Sequence, residues 1–372
     1  MPSLKQIALP AARRALAGGY SWARRLGLYH PNAAPIHYIA EKTDWVIRQD
    51  AIAYQNAIER RHPGAVVVTD RPERATGRIA HFASQFIWQA WAPALDKDTR
   101  CLITYFHGKP EDGPEMARHV AFFLDHLNRL ERIVTAASRI EARLLEWGVP
   151  REKLVRVPLG VDFQKFRPPS SDERREFRAN FGIPEASLCI GSFQKDGEGW
   201  GDGMVPKLIK GPDLFVETVG RLARHFPVFV FLTGPARGYV KRGLEAINVP
   251  YVHHNLPQAD MVADAFRALD LYIVASREEG GPKAVLESLA SGVPLVTTRV
   301  GMAQDVVEDG VNGFLVDKPD AGLLADRAAA LLSQPELASR HVERGLLDIR
   351  RFAWDIVAEQ LYDRAYRGLL ER

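Results

Sequence analysis

Short apolar runs alternate with longer stretches of helical periodicity from about residue 36 onward. The apolar runs hold four to seven residues rich in Val, Ile, Leu and Phe, which is typical of buried strands. Strands that alternate with amphipathic helices indicate parallel sheets with helices on both faces. The predicted strands are IHYIA (36–40), AVVVT (65–69), RIAHFA (78–83), CLITYF (101–106), RIVTAA (132–137), LCIGSF (188–193), VFVFLTG (228–234), YVHH (251–254), LYIVAS (271–276), PLVTT (294–298) and GFLV (313–316).

The pattern predicts two doubly wound α/β domains, because 372 residues exceed what one hydrophobic core comfortably holds. The seam lies in PLGVDFQKFRPPSSDERREF, where a strand gives way to Pro168-Pro169 and Ser170-Ser171 before a new helix. After about Phe352, apolar residues return at helical spacing, which predicts an amphipathic helix that needs an apolar surface. The predicted segments are a basic N-terminal segment (1–30), a first domain (31–168), a second domain (169–350) and a terminal helix (351–372).

Composition bounds the compartment and the partners. Cys101 and Cys189 each lie in a predicted buried strand, so no disulfide is expected and a reducing, cytoplasmic compartment fits. No apolar run approaches the ~20 residues of a membrane span, and the apolar start is broken by Pro10, so we expect neither export nor a spanning anchor. Residues 1–170 hold 25 Lys and Arg against 17 Asp and Glu, so this half should favour anions. The basic residues are not gathered in a nucleic-acid recognition motif, so no nucleic-acid partner is expected.

The stretch SREEGGPKAVLESLASGVPLVTT (276–298) concentrates charge and glycine at the end of a predicted strand. In open parallel sheets ligands bind at the carboxyl ends of strands, so Arg277 to Gly281 lie at the expected binding edge. Gly280 and Gly281 permit a sharp turn, and Pro282 suits the first position of the following helix. The exposed amides of that helix start would seat a phosphate-like anion.

Two glutamates flank this predicted anion seat. Glu279 precedes it and Glu287 follows about a turn and a half into the helix, so they would accept hydrogen bonds from hydroxyl groups on either side of a bound pyrophosphate. One hydroxyl group would belong to a sugar and the other to a ribose, as in a nucleotide sugar. The alternative is an ordinary turn before a helix, with the glutamates solvated or acting only on the helix dipole.

The spacing of Glu279 and Glu287, followed by SLASGVPLVTTRVG, resembles the signature of the retaining GT-B glycosyltransferases of the family-4 (group 1) type. This large family includes sucrose synthase-like and lipopolysaccharide-building enzymes. Three further segments, GVPREKLVRVPLGVDFQKFRP (148–168), KLIKGPDLFVETVGRL (207–222) and EDGVNGFLV (308–316), resemble its interdomain segment, its phosphate-binding Lys-Gly and the turn and strand after its signature. The resemblance implies two Rossmann-like domains facing across a cleft, with the terminal helix crossing back to the first domain.

The resemblance also implies roles for single residues. The first domain would hold the acceptor and the second domain the nucleotide sugar. Glu287 would bind the ribose, Glu279 the donor sugar, and the amides near Gly281 and Lys283 the β-phosphate. Lys210 matches the lysine that neutralises the departing diphosphate, which is electrostatic stabilisation of developing charge. The donor is a substrate, so no cofactor is expected, and base recognition would involve the backbone near Val252 to Leu256.

One departure concerns the end of the strand that contains Gly191. Family members usually carry Arg directly after this glycine, where the present chain has Ser192 followed by a long glycine-rich loop, SFQKDGEGWGDGMVPK. Lys207 or Lys195 would supply the missing charge, and we prefer Lys207 because it lies three residues before Lys210. The alternative is that these lysines are solvated loop charges.

His107 closes a first-domain strand and matches the histidine that family members place beside the donor sugar. We expect it to donate or accept a hydrogen bond there, and His37, His81, His253 and His254 to be packing or surface residues. The turn IAEKTDWV lacks the glycine pair of many relatives. Glu41 to Asp44 would then face the acceptor, or Thr43 or Asp44 would simply cap the next helix.

Asp96-Lys97-Asp98 has the spacing of a metal-binding motif, but it precedes its strand and is interpreted as a surface turn. No cluster of His and Cys suggests zinc, so no metal site is predicted. The family implies retention of anomeric configuration by front-face attack, in which no protein nucleophile is needed.

The first 30 residues carry five basic residues, no acid, and interleaved apolar and aromatic residues. This composition suits the interface of an anionic membrane on its cytoplasmic face, although Gly18-Gly19 is expected to interrupt any helix. The alternatives are a disordered tail and an extra helix packed on the first domain.

The sequence thus favours a retaining glycosyltransferase acting on a glycan or lipid-linked acceptor in surface polysaccharide or glycolipid synthesis. A sugar-nucleotide epimerase of the same fold and a non-catalytic nucleotide-sugar-binding protein stay open as alternatives.

Overall fold

The computed structural model of the protein describes residues 4–42, 46–256 and 259–371. The chain forms two compact units: one runs to Gly160 and includes the terminal segment from Trp354, and the other is Val161–Ala353. The division falls earlier than the predicted boundary near residue 168. Val161 already belongs to the second unit, because its N–H donates to the carbonyl oxygen of Phe352 (2.9 Å) and it forms a bridge with Ala353.

The first unit contains a parallel six-stranded sheet in the order β2-β1-β3-β4-β5-β6. Five of its strands were predicted, and β6 was not, because its apolar part is only Leu154 and Val155 between two basic residues. The predicted strand in the seam segment is wrong, since β6 ends before it and only the Val161 bridge follows. The strands are β1 Ile36–Ile39, β2 Val66–Thr69, β3 Ile79–Phe82, β4 Arg100–Thr104, β5 Leu130–Thr135 and β6 Leu154–Arg156.

In the first unit, helix α1 precedes the first strand and the other helices connect successive strands. They are α1 Leu4–Arg25, α2 Val46–Glu59, α3 Gln85–Trp91, α4 Pro114–Asp125 and α5 Ser138–Glu146, with short 3₁₀ turns at Pro72–Ala75, Ala92–Ala94, Pro110–Asp112, Leu127–Arg129 and Arg151–Lys153.

The expectation that Gly18-Gly19 interrupts the N-terminal helix is wrong, since α1 continues through both glycines. Each glycine costs a helix about 1 kcal/mol, and contacts with the rest of the unit offset that loss. Arg13 donates to the Ala90 carbonyl oxygen (2.9 Å), and Arg24 forms an ion pair with Asp98 (2.7 Å). The helix is therefore docked on the first unit.

The second unit contains a parallel six-stranded sheet in the order β12-β11-β10-β7-β8-β9. All six strands were predicted from the sequence. This is the strand order of a dinucleotide-binding sheet, and its direction of winding reverses between β7 and β10. The strands are β7 Leu188–Phe193, β8 Val228–Thr233, β9 Tyr251–His254, β10 Leu271–Val274, β11 Leu295–Thr298 and β12 Phe314–Val316.

The helices of the second unit cover both faces of this sheet. The first begins with a capping box, in which Ser170 Oγ accepts from the Glu173 N–H (3.2 Å) and Glu173 Oε2 accepts from the Ser170 N–H (2.8 Å). The helices are α6 Ser171–Asn180, α7 Pro212–Leu222, α8 Gly238–Ala246, α9 Ala259–Arg267, α10 Lys283–Ala290, α11 Ala303–Val306, α12 Ala321–Ser333 and α13 Pro335–Asp348, with 3₁₀ turns at Leu208–Lys210 and Ile349–Phe352.

The terminal segment packs on the first unit through an apolar stripe. It consists of α14 Trp354–Leu361, a π-helical turn Tyr362–Arg367 and α15 Gly368–Leu370. Val357, Leu361 and Tyr366 are fully buried in the same core as residues of β1 and α2. The amphipathic periodicity in the sequence thus identified a helix whose apolar surface lies within its own chain.

Candidate active site

The candidate site lies at the carboxyl ends of β7 and β10, where the winding of the second sheet reverses. Ligands of open α/β sheets bind at this kind of switch point. The long loop that begins at Gln194 follows β7, and Ser276 to Gly281 follow β10. The predicted phosphate-binding lysine and Glu279 therefore come from loops at the same edge of one sheet, and Glu287 lies on the helix that follows.

Lys210 and Glu279 form an ion pair at this edge. The Lys210 Nζ lies 2.6 Å from both carboxylate oxygens of Glu279, and the Glu279 side chain is only 11% exposed. The Ser276 hydroxyl donates to Glu279 Oε1 (3.0 Å), which fixes the carboxylate further. Two residues that the sequence predicted to bind neighbouring parts of one donor are thus brought together.

Backbone contacts hold the lysine loop against the end of β10. The N–H groups of Arg277 and Glu278 both donate to the Ile209 carbonyl oxygen, at 2.8 and 3.1 Å. Gly211 has a left-handed conformation (φ 65°), and a Cβ there would lie 1.9 Å from the Ala275 carbonyl oxygen. This glycine is therefore required both by its backbone angle and by the close approach of the two loops.

Arg277 was placed at the binding edge by the sequence, and the structure gives it a local partner. Its guanidinium forms a bidentate pair with Asp213 at the start of α7, with distances of 2.7 and 2.6 Å. The hydrogen bonds from Arg277 lower the pKa of the Asp213 carboxyl. Arg277 thus ties the end of β10 to α7.

The signature helix α10 begins at Lys283, so the expectation that Pro282 is its first helical residue is wrong by one position. Pro282 is the N-cap residue, with an extended backbone (ψ 92°), and its carbonyl oxygen accepts from Val285 N–H (2.9 Å). Gly280 is buried, and Gly281 and Lys283 are half-buried at this helix start. Gly301 lets the next loop approach, since a Cβ there would lie 2.5 Å from the carbonyl oxygens of Glu279 and Gly280.

Tyr272 of β10 lies close to both signature glutamates. Its hydroxyl accepts from the Phe193 N–H (2.9 Å) at the end of β7. Burial raises the pKa of the Tyr272 hydroxyl above its usual value, and the charges of Glu287 and Glu279 raise it further. Glu287, half-buried on α10, therefore shares its electrostatic surroundings with Glu279.

A buried arginine that sequence analysis missed organises the loop after β7. Arg237, at the N-cap of α8, is fully buried and donates to the carbonyl oxygens of Ser192 (2.6 Å), Gln194 (3.0 Å) and Thr233 (2.8 Å) and to Ser192 Oγ (3.0 Å). Its Nε lies 3.0 Å from Oδ1 of the equally buried Asp196, without the alignment of a hydrogen bond. Burial raises the pKa of Asp196 and lowers that of Arg237.

The Arg237 guanidinium contacts Ser192, the residue at which the resemblance leads us to expect an arginine. Sequence analysis could identify the unusual serine but not its contact, because Arg237 lies 45 residues further along the chain, at the start of α8. Gly191 lies inside β7, and a Cβ there would be 2.3 Å from Leu269 Cδ1, so packing explains this glycine.

Lys207 and Lys195 are half-buried and lie close to each other. Burial lowers the pKa of the Lys195 ammonium, and the charge of Lys207 lowers it further. The Lys207 N–H donates to the Asp196 carbonyl oxygen (2.7 Å), which ties both lysines to the loop that Arg237 fixes.

His107 lies in the first unit, three residues beyond β4. Its carbonyl oxygen accepts from Gln85 Nε2 (2.9 Å), and Gln85 Oε1 accepts from the neighbouring Phe106 N–H (3.3 Å). Its predicted role toward the donor sugar stays a prediction. Of the predicted acceptor-facing stretch, Glu41 and Lys42 are exposed, and Thr43 and Asp44 lie outside the described residues.

The histidines expected to be packing or surface residues are buried or half-buried. His81 is fully buried, with Nδ1 2.5 Å from the Tyr366 hydroxyl and Nε2 3.0 Å from Thr104 Oγ1. His37 is also buried, and its pKa is lowered by burial. His253 Nε2 lies 2.7 Å from the Gly234 carbonyl oxygen, and His254 Nε2 lies 3.3 Å from that of Phe181.

The Asp96-Lys97-Asp98 turn is held by local contacts. Asp96 Oδ1 accepts from the Thr99 N–H (2.9 Å) and Oδ2 from the Thr76 hydroxyl, while Asp98 pairs with Arg24. Within the described ranges, no three His, Cys, Asp or Glu side chains gather as metal ligands do. The two cysteines are buried free thiols, and burial raises the pKa of Cys101 to about 12.

Comparisons with known proteins find glycosyltransferases among the proteins similar to this chain. Residues 203–334 match the family model described as glycosyl transferases group 1. A D-inositol 3-phosphate glycosyltransferase of Xylanimonas cellulosilytica is 30% identical over 244 residues, which are 62% of this chain and 55% of that protein. The lipopolysaccharide core biosynthesis mannosyltransferase LpsB of Rhizobium meliloti is 29% identical over 232 residues, which are 60% of this chain and 61% of LpsB. The chain thus spans little more than half the length of these curated relatives.

Solved structures agree on the fold. HepE of Anabaena, crystallised in complex with UDP and glucose, matches with a TM-score of 0.72 at 15% identity, over 91% of this chain and 99% of HepE. Two parallel doubly wound units with these strand orders define a protein of the GT-B fold, as predicted. The match of residues 203–334 to the group 1 glycosyltransferase model and the similarity to curated glycosyltransferases agree with the family that the sequence motifs indicated.

Proposed function

We propose that the protein is a retaining glycosyltransferase. It transfers a sugar from a nucleoside-diphosphate-sugar donor to a glycan or lipid-linked glycan acceptor in the synthesis of a surface polysaccharide or glycolipid. The observation that carries the proposal is the Lys210–Glu279 pair at the switch point of the second sheet. The names of the curated relatives support transfer of a sugar, and the structure of HepE with UDP-glucose supports a donor of this class.

The roles of the second-unit residues follow from charge and position. The Lys210 ammonium and the amides at the start of α10 neutralise the diphosphate, because a helix start attracts anions. Lys207 adds a second ammonium in place of the arginine that Ser192 replaces. Glu279 accepts from the donor sugar hydroxyls and Glu287 from the ribose. His107 of the first unit bonds to the donor sugar.

Negative charge grows on the leaving diphosphate as the glycosidic bond breaks. A fixed ammonium near that charge stabilises the transition state more than the ground state, which is what accelerates the chemical step. The leaving phosphate oxygen takes the proton of the acceptor hydroxyl, and the sugar keeps its anomeric configuration. Neither a cofactor nor a metal ion takes part.

Nucleotide binding and turnover test the proposal together. Thermal-shift measurements with UDP, GDP and ADP identify the base, since a ligand that binds the native state raises the melting temperature. With the matching nucleotide sugar, the wild type releases or transfers the sugar, while Lys210→Ala loses about 10²–10³-fold in kcat/KM. Lys318→Ala removes an exposed lysine of the same unit and serves as the control.

Two outcomes would contradict this proposal. An epimerised nucleotide sugar as the only product would favour the epimerase alternative. Nucleotide-sugar binding without turnover by the wild type would favour a binding protein.

We also propose that α1 contacts an anionic membrane surface, on the inner face of the membrane. No helix in the described ranges is both long and apolar enough to cross a bilayer. Among the residues that α1 and the turn after it expose are Leu9, Leu16, Trp22 and Leu26, beside the exposed Arg14 and Arg25. Flotation with vesicles containing phosphatidylglycerol tests this, and a variant with Trp22→Ala and Leu26→Ala should float less than the wild type. Equal flotation would exclude this contact.

A further inference from the structure

The long loop after β7 is an ordered hairpin, here called the glycine hairpin (residues 195–207). Gly197 and Pro206 form an antiparallel bridge, and the Glu198 N–H donates to the Val205 carbonyl oxygen (2.8 Å). Its base is fixed by the buried Asp196 and Arg237. A glycine-rich sequence that would otherwise be flexible is therefore held in one conformation.

The hairpin is clamped to the start of α8 by close backbone contacts. A Cβ on Gly197 or Gly203 would lie 2.3 or 2.2 Å from the Ala236 carbonyl oxygen. The carbonyl oxygens of Asp202 and Gly203 accept from the first N–H groups of α8, Gly238 (2.5 Å) and Tyr239 (3.0 Å). The hairpin thus caps a helix whose first donors would otherwise need water.

Trp200 lies in the glycine hairpin, and the residue is 65% exposed. The Lys195 ammonium lies 3.6 Å from the centre of its indole ring, within the range of a cation–π contact. Adding a Cβ to Gly199 or Gly201, on either side, would meet nothing within 4 Å. The Lys195 contact helps to orient the ring, and most of the residue's surface stays exposed to a ligand.

The charges around Trp200 select the kind of ligand. The hairpin carries two ammonium groups, Lys195 and Lys207, and two exposed carboxylates, Glu198 and Asp202. This balance gives no net attraction to an anionic membrane or a polyanion. A flat aromatic face rimmed by both donors and acceptors suits a neutral sugar ring, which has an apolar C–H face and a hydroxyl rim.

We propose that Trp200 is a stacking platform for a neutral saccharide, the acceptor of the transfer reaction. The hairpin follows the end of β7 and ends three residues before Lys210, so both of its ends join the edge of the sheet that carries the proposed donor site. The assignment of the saccharide as the acceptor rests on the proposed function. Binding of a saccharide to Trp200 does not.

A glycan array probed with the full chain and saturating UDP tests the proposal. The wild type should bind at least one neutral saccharide, and Trp200→Phe should keep most of that binding. Trp200→Ala should weaken it at least tenfold, while Leu347→Ala, which removes a similarly exposed apolar side chain of the same unit (60%), should leave it unchanged. Thermal shifts with UDP, GDP and ADP should be the same in all four proteins.

Each contrary result has a separate meaning. Undiminished binding by Trp200→Ala, or a wild type that binds no saccharide on the array, overturns the platform. So does a loss of flotation with phosphatidylglycerol vesicles in Trp200→Ala, which would assign the ring to a membrane. A wild type stabilised by none of the three nucleotides would instead count against the proposed function, while tryptophan-dependent saccharide binding would stand.

Discussion

The ammonium of Lys210 lies 2.6 Å from both carboxylate oxygens of Glu279. The two residues come from loops that follow different strands, and a buried serine, Ser276, holds the carboxylate from the other side. Under the proposed function, the Lys210 ammonium is thus oriented before a donor binds, so less reorganisation is needed when charge develops. In the proposed complex with the donor, the Lys210 ammonium therefore contacts both the Glu279 carboxylate and the phosphate.

Glu279→Gln tests this arrangement. The amide keeps the shape but loses the charge that positions Lys210, so kcat/KM for the donor should fall by roughly 10²-fold. The change should appear in kcat as well as KM, because the lysine stabilises the transition state. Steady-state kinetics with the matching nucleotide sugar measure it, and Glu336→Gln at the exposed start of α13 is the control. Unchanged kinetics would show that the ion pair has no catalytic role.

Gly211→Ala should displace the lysine loop. The substitution adds strain at φ 65° and a Cβ 1.9 Å from the Ala275 carbonyl oxygen. Gly182→Ala is the matched control, because Gly182 has a similar φ (71°) but nothing within 4 Å of the added atom. Both variants should lose about 1–2 kcal/mol from the left-handed backbone. Only Gly211→Ala should also lose most nucleotide-sugar turnover, and equal turnover in the two variants would contradict this role of the close approach.

The fold of the second unit could be predicted from the sequence almost element by element. Most of its strands are short apolar runs, and several of its glycines and prolines lie at the turns between elements, so local pattern and tertiary structure agree. The short strand β6 escaped prediction because only two apolar residues, Leu154 and Val155, lie between Lys153 and Arg156. The continuity of helix α1 was not predicted, because the low helix propensity of its glycines is offset by tertiary contacts. One of these is the hydrogen bond from Arg13 to the Ala90 carbonyl oxygen, which local propensity does not include.

The candidate site could be predicted where a residue belongs to a contiguous motif. Lys210, Glu279 and Glu287 lie in such motifs, and the first two meet in the structure. Arg237 could not be found in this way, since its function depends on carbonyl oxygens that the chain brings to it from β7 and β8. Buried polar networks of this kind are set by three-dimensional proximity and leave no periodic signal.

Transfer activity should persist after removal of divalent cations. The charge opposite the leaving diphosphate is assigned to Lys210, to Lys207 and to the amides at the start of α10, which do not depend on a metal ion. Activity assayed in excess EDTA should therefore stay within about twofold of the untreated enzyme. Loss of activity that magnesium or manganese restores would show that a cation supplies part of this charge.

His81 should make the stability of the first unit fall in acid. Burial lowers its pKa to about 3, whereas a histidine in the unfolded chain titrates near 6.5. Between these values the unfolded state binds one more proton, so the free energy of unfolding decreases as pH falls, by up to about 1.4 kcal/mol per pH unit. The pH dependence is present below about pH 6.5 and ends near pH 3.

Urea unfolding of the wild type and His81→Gln across this range measures the contribution. The slope against pH should be smaller in the variant by up to one proton. His119→Gln provides a comparison, because burial lowers the pKa of His119 to about 4, so its effect should end at a slightly higher pH. Identical slopes in wild type and His81→Gln would mean that the buried imidazole accepts a proton without loss of stability.

We expect Arg237 to contribute more to the stability of the second unit than most of its other residues. Its guanidinium is fully buried, lies 3.0 Å from Asp196 and donates to three carbonyl oxygens at the switch point. Arg237→Met leaves the Asp196 carboxylate and these oxygens buried without their partner, which typically costs about 3–5 kcal/mol. Arg242→Met, one turn further along α8 at an exposed position, should change stability by less than about 0.5 kcal/mol. Thermal unfolding monitored by circular dichroism compares the two, and similar melting temperatures would show that the buried pair is dispensable for the fold.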